Sequence, residues 1–201
     1  MKKGKFIVFE GIDGCGKTTQ AKRLQEYFGN NAIFTREPYR DGPVCSDIRN
    51  VLMKDYKGQM APLTELFLFE AARAQHVKDI IMPALNKDKI VICDRFTGSS
   101  IAYQGYGRGI DIKTVETANN LAINNLIPDI TFWIDTPVEE AIKRSHQIDD
   151  VNIRDDETKE FYEKCRDYYY KKSLTDKNFI RIDGMLDIDT VFKQILFEIS
   201  L

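Results

Sequence analysis

Two stretches carry residues whose types and spacing can do chemistry. The first is Gly11-Ile12-Asp13-Gly14-Cys15-Gly16-Lys17-Thr18-Thr19, which satisfies the pattern G-x-x-x-x-G-K-T. Glycines let successive backbone N–H groups converge on phosphate oxygens with no side chain in the way. A lysine at position 17 can reach the β- and γ-phosphates of a nucleotide, and the Thr18 hydroxyl can ligate the accompanying Mg²⁺. The second stretch is the apolar run 90–93, which ends in Asp94-Arg95. A carboxylate at the end of a buried strand can help hold Mg²⁺ beside the P-loop threonine, so Asp94 is the candidate partner of Thr18. The plainer reading, an aspartate that only caps the next turn, is weaker at the mouth of a ligand crevice.

A phosphate grip of this kind needs a strand before it and a helix after it. Residues 6–9 form a short apolar run suited to a strand buried on both faces. A helix from Lys17 carries Ala21, Leu24 and Phe28 on one face and ends at Gly29. Its N-terminus adds partial positive charge where the phosphates would sit. Further strands are expected at 32–35, 90–93, 130–134 and 179–182. The second must stop at Arg36-Glu37-Pro38, because proline cannot donate to a sheet ladder.

Helices are expected between and after the strands. One follows Pro43, with Val44, Ile48, Val51 and Leu52 at helical spacing. A long one runs over 62–88 with Leu66, Ala74, Val77 and Ile81 inward, kinked or cut short at Pro83. A third starts after an Asp111 N-cap with Ile112, Val115 and Ala122 inward. Others lie at 139–144, 158–173 and 187–199, and 145–157 is almost wholly polar. Strands alternating with helices predict a three-layer α/β/α fold around a five-stranded parallel sheet with right-handed crossovers. Ligands then gather at the carboxyl ends of the strands, where Gly11, Glu37, Asp94 and Asp135 all fall.

The whole chain sets bounds on the function. Its 201 residues suit one domain, and 43% apolar with 30% charged residues is ordinary for a soluble protein. A net charge of −2 offers nucleic acid no global attraction, so a nucleotide must be gripped by local arginines. Cys15, Cys45, Cys93 and Cys165 are far apart, and His76 and His146 make no metal-ligand spacing. This reads as reduced thiols in a cytoplasmic protein. Cys15 lies near a helix N-terminus, where a thiol pKa can fall, but a small filler residue is the preferred reading. The basic start MKKG precedes too few apolar residues for a signal peptide or membrane span.

Four segments then stand in one order and spacing: GIDGCGKTT at 11–19, REP at 36–38, ELFLFEAARAQH at 65–76 and DRFTGSSIAYQGYGRG at 94–109. In these the chain resembles the bacterial thymidylate kinase (dTMP kinase) family along nearly its whole length, and the last segment is the most specific. The resemblance implies a P-loop kinase domain that transfers the γ-phosphoryl of MgATP to dTMP in dTTP synthesis. It also implies a homodimer, which the residues do not derive. It assigns Phe69 and Arg73, four apart on one helix face, to the base: ring stacking and a guanidinium bond to the exocyclic oxygen. Arg95 resembles the arginine that clamps the acceptor phosphate. Ser99, Ser100, Tyr103 and Gln104 match base and sugar contacts, Asp13 the carboxylate at the sugar 3′-hydroxyl, and Arg36 with Glu37 the pair near the acceptor.

The chain departs from the family pattern in two places. REP is followed by Tyr39-Arg40 where the family has two glycines, so the loop there should close differently. The polar segment 145–157 is the expected mobile lid, but its acid-rich run also suits a solvated face. Because Gly14 gives the P-loop no arginine, Arg154 is the candidate cation for the transferring phosphate, with Arg144 in reserve. Other classes fit less well. Asp55-Tyr56-Lys57-Gly58 matches the GTPase D-x-x-G, but no strand leads into it, and Asn86-Lys87-Asp88 misplaces the aspartate of N-K-x-D. A noncatalytic nucleotide binder, or a kinase of dUMP or a deoxynucleoside, stays open, although Arg73 and Arg95 favour an anionic acceptor. The tyrosines 168–170 read as packing.

Overall fold

The structure is a computed structural model and describes residues 4–56, 58–147 and 157–200. Arg154, and most of the segment 145–157, lie outside the described residues. Five parallel strands form one sheet: β1 (Phe6–Glu10), β2 (Ala32–Arg36), β3 (Ile90–Asp94), β4 (Ile130–Asp135) and β5 (Phe179–Asp183), in the order β2-β3-β1-β4-β5. Central β1 is buried at every position, whereas the edge strands β2 and β5 alternate with partly exposed residues. Helix-covered central strands require a continuous apolar run, which is why 6–9 reads as one.

The helices are α1 (Lys17–Phe28), α2 (Pro43–Met53), α3 (Pro62–His76), α4 (Met82–Leu85), α5 (Thr97–Ser100), α6 (Ile112–Ile123), α7 (Val138–Ser145), α8 (Lys159–Thr175) and α9 (Ile188–Ser200). Prolines stand in the first turns of α2 and α3, where the missing N–H costs nothing. Asp111 and Thr158 cap α6 and α8 by accepting the backbone N–H groups of Thr114 and Phe161. Two cores lie on the two faces of β1. Ile7 and Phe9 cluster with Ala21, Leu24 and Ile195 of α1 and α9. Phe6 and Val8 cluster with Val77, Ile81 and Phe96, and the Phe6 and Phe96 rings meet edge to face at 5.0 Å.

Three sequence expectations need correction. The long helix runs through Pro83 but ends at Leu85, short of residue 88, and its distortion lies before the proline. A π-helical turn (Val77–Ile81) joins α3 to α4, and the Met82 N–H reaches Val77 O. A widened turn just before a proline relieves the ring's clash with the carbonyl four residues back. Ala74 of α3 is exposed rather than inward. On α6 the inner face is Val115, Asn119 and Ile123, with Ala122 only half-buried. Periodicity missed Asn119 because a buried amide is placed by its hydrogen-bond partners, not by its hydrophobicity.

Candidate active site

The parallel sheet brings the P-loop and the ends of β2 and β3 together. Gly11, Gly14 and Gly16 all have positive φ, which lets the loop after β1 curl inward. A Cβ on Gly14 would stand 1.9 Å from the Ala141 carbonyl oxygen of α7, so no side chain fits there. Lys17 folds back to donate to Ile12 O at 3.1 Å and lies 3.9 Å from Asp13. Residues Gly14–Thr19 line a cleft of about 1260 Å³, open to solvent, with Arg144, Gly184, Leu186, Ile188 and Val191 opposite. Gly11 and Ile12 stand behind that wall. The Gly11 carbonyl accepts from Arg95, and the Ile12 side chain is in the core. Arg144 bonds Glu140 at 2.9 Å and Gly184 O at 3.0 Å. Cys15 is buried, and burial pushes its thiol pKa up, which suits the filler reading.

The Thr18 hydroxyl donates to Asp94 Oδ2 at 2.5 Å, while Asp94 Oδ1 is buried without a hydrogen-bond partner among the described residues. An orphaned carboxylate oxygen beside a P-loop hydroxyl fits a Mg²⁺ site. Mg²⁺ keeps several waters and takes one or two protein oxygens plus substrate phosphates.

A second cavity, about 700 Å³ including its open mouth, lies across Asp13 from the cleft. Asp13, Arg36, Glu37, Phe69, Arg73, Arg95, Ser99, Ser100, Tyr103 and Gln104 all line it. Pro38, Arg49 and Met53 join them, and sequence reading missed all three. Arg49 and Met53 stand four apart on α2, a face the apolar spacing of that helix did not single out.

Arg95 leaves β3 with φ 73, in the left-handed region that few side chains adopt. That turn brings its guanidinium back over the P-loop. Nη2 donates to Asp13 Oδ1 at 2.5 Å and Tyr103 Oη at 3.1 Å, and Nη1 to Gly11 O and Ser99 Oγ. The Tyr103 hydroxyl donates to Asp13 Oδ2 at 2.9 Å. Burial pushes the Asp13 carboxyl up, but Arg95 and Lys17 outweigh it and hold Asp13 well below the usual carboxylate range. Arg36 Nε is buried without a partner among the described residues, a donor suited to an anion.

Arg73 is 2% exposed and tied into a web that sequence reading did not foresee. Its Nε donates to Glu37 Oε2 at 2.8 Å. Nη1 serves Glu70 Oε1, Ser100 Oγ and Asn119 Oδ1, and Nη2 donates to Phe96 O at 3.0 Å. One Nη2–H is then left for the cavity. Burial lowers the Arg73 pKa, but Glu37 and Glu70 more than offset it, so the net shift is upward and the charge is secure. Losing one partner of such a buried cluster costs about 3–5 kcal/mol. Ser100 thus acts through Arg73 and Glu70, to which its hydroxyl donates at 2.8 Å.

Glu10 supports the opposite side. It accepts from the Phe96 and Ser99 N–H groups, the Ser99 hydroxyl and, at 3.2 Å, the Tyr169 hydroxyl. Burial nevertheless keeps its carboxyl above the ordinary value, against the pull of Ser99 and Arg95. Tyr168 and Tyr169 are packed as expected, though Tyr169 also carries this polar contact, whereas Tyr170 is exposed and departs from the packing expected of the run 168–170.

A P-loop cleft that begins at Gly14 and an arginine-lined cavity that begins at the adjacent Asp13, on a five-stranded parallel sheet, define the α/β P-loop kinase class. Within it, the family model for thymidylate kinase matches residues 9–195. The chain is 42% identical to the thymidylate kinase of Geotalea daltonii over 92% of both chains. It is 43% identical to that of Thermoanaerobacter sp. strain X514 over 96% of both. The crystal structure of thymidylate kinase from Ehrlichia chaffeensis superposes with TM-score 0.78 at 36% identity, covering 98% of this chain and 99% of that one. The chain belongs to the thymidylate kinase family.

Proposed function

We propose that the protein transfers the γ-phosphoryl group of ATP to dTMP, giving dTDP and ADP. The observation that carries this reading is the pairing of a P-loop cleft with a separate cavity lined by Phe69, Arg36, Arg73 and Arg95. A phosphate oxygen of dTMP bonds to Pγ as the bond from Pγ to the β–γ bridging oxygen breaks. Such a transfer needs positioning and charge neutralisation more than covalent help.

Lys17 and the P-loop N–H groups would hold the donor phosphates. The apolar wall of Leu186, Ile188 and Val191 suits the adenine. Thr18 and Asp94 would hold Mg²⁺, which when bound neutralises charge on the β- and γ-phosphates. On the acceptor side, Arg36 and Arg95 suit the phosphate and Phe69 the face of the base. The remaining Arg73 N–H suits an exocyclic carbonyl oxygen, and Ser99 and Gln104 line the same space. Asp13 and Tyr103, joined through Arg95, suit the sugar. Residues 145–157 are proposed as a lid on a single domain, with Arg154 its cation.

This account predicts that dTMP exceeds dUMP by about 10–200-fold in kcat/KM, since one buried methyl is worth about 1–3 kcal/mol. dCMP should do worse, because its amino group meets the Arg73 donor. Steady-state rates with the three acceptors check this, and equal rates for dTMP and dCMP would remove the roles of Phe69 and Arg73.

A homodimer is proposed on the apolar residues that neighbouring helices leave exposed: Val44 and Val51 on α2, Leu63 and Phe67 on α3, Leu121 on α6. Sedimentation should give twice the chain mass, and a monomer at micromolar concentration would contradict it. No helix among the described residues is long and apolar enough to cross a membrane. A cytoplasmic enzyme acting on small nucleotides rather than on nucleic acid is proposed.

A further inference from the structure

His76 ends α3 wholly buried and does not line the cavity, yet it touches the residue that grips Arg73. Its Nδ1 lies 3.1 Å from Glu37 Oε1 and its Nε2 lies 2.7 Å from Thr35 Oγ1. Burial raises the Glu37 carboxyl, but Arg73 and His76 bring it below its ordinary value, so Glu37 is a carboxylate and can only accept. The proton is therefore on Nδ1. A hydroxyl can donate or accept, so Thr35 Oγ1 partners Nε2 whether or not that nitrogen carries a proton. The Tyr39 ring covers the imidazole, with centroids 4.6 Å apart and planes at 10°.

Glu37 thus splits its two oxygens, Oε2 to Arg73 Nε and Oε1 to His76. A carboxylate left alone with a guanidinium prefers the two-bond fork, taking Nε–H together with the adjacent Nη2–H. Among the described residues, Nη2 also bears the one N–H of Arg73 without an acceptor, and Arg73 lines the cavity.

We propose that His76 is a positioning residue for recognition of the acceptor base. By holding Glu37 Oε1 away from Arg73, it keeps one Nη2–H for the exocyclic carbonyl oxygen of the pyrimidine, and Tyr39 keeps the imidazole in place. This deepens the dTMP reading and rests on it.

The test compares His76→Asn with His76→Gln. The asparagine amide nitrogen falls near the position of Nδ1 and keeps the donor to Glu37. The glutamine nitrogen falls near Nε2 and loses it. His76→Gln should raise the KM and the calorimetric Kd for dTMP about tenfold, one hydrogen bond's worth. It should also lower the preference for dTMP over dCMP about tenfold, while kcat and the KM for ATP stay within a few-fold. His76→Asn should stay near the parent in all four. Identical behaviour of the two variants, or a fall in kcat with unchanged dTMP affinity, overturns the proposal.

Tyr39→Ala leaves every buried hydrogen bond intact and keeps the test decisive should the histidine variants not fold. It should weaken dTMP about twofold to tenfold, the worth of one ring pair, and parental affinity overturns the proposal. A parent with no dTMP-dependent turnover overturns the acceptor reading together with this inference. A parent that turns over dTMP, with variants that bind it equally well, overturns this inference alone.

Discussion

Alanine at position 17 gives a folded protein whose kcat falls by at least about a hundredfold to a thousandfold, the range for losing one fixed donor to developing charge. In the structure the Lys17 ammonium rests on the Ile12 carbonyl, 3.1 Å away, at the head of the P-loop cleft. That bond contributes only about 1 kcal/mol to folding, so the melting temperature should drop by about 2–4 °C. The charge matters far more to a γ-phosphoryl group in transit. A variant that keeps turnover within a few-fold of the parent, with a near-parental melting curve, would show that the donor phosphates sit elsewhere.

Arg154→Ala is expected to lower kcat by at least about a hundredfold and to leave the KM for dTMP nearly unchanged, the pattern of an interaction made mainly in the transition state. Comparable arginine fingers contribute about 10³–10⁵-fold. The expectation rests on elimination. Position 14 has no room for a side chain, because a Cβ there would meet Ala141 O at 1.9 Å. Arg144 stands at the cleft wall with its guanidinium tied to Glu140 and the Gly184 carbonyl. Arg144→Ala should therefore cost less kcat than Arg154→Ala. Parental kcat in purified Arg154→Ala would move the role to Arg144 and end the lid assignment.

The residues that could be read from the chain are those whose job is local. Gly11 to Thr19 spell their own loop geometry, and the run before Asp94 marks a buried strand end. Ten cavity residues, from Asp13 to Gln104, were named from motif likeness alone. The illegible part is the polar web behind them. Glu10, Glu70, Asn119 and His76 are buried where partners from other elements meet them: Ser99, Ser100, Thr97 and Glu37. No period or spacing encodes such a meeting. One hint was present, since Glu70 and Arg73 sit together in the apolar run LFEAARA, where two charges need partners. Pro83 marked a distortion without its form for a related reason: the π turn that accommodates it packs Val77 and Ile81 into the core.

The central claim is that the two cavities join ATP to a thymidine monophosphate. The most direct measurement is coupled ADP release with MgATP and, in turn, dTMP, dUMP, UMP, dCMP, dGMP and thymidine, with chromatography of the products. The account predicts fastest release with dTMP, one dTDP formed for each ADP, slower release with dUMP, and little with thymidine, which lacks the anion that Arg36 and Arg95 are there to meet. Release that is as fast with thymidine or dCMP as with dTMP, or that proceeds without any acceptor, would contradict it.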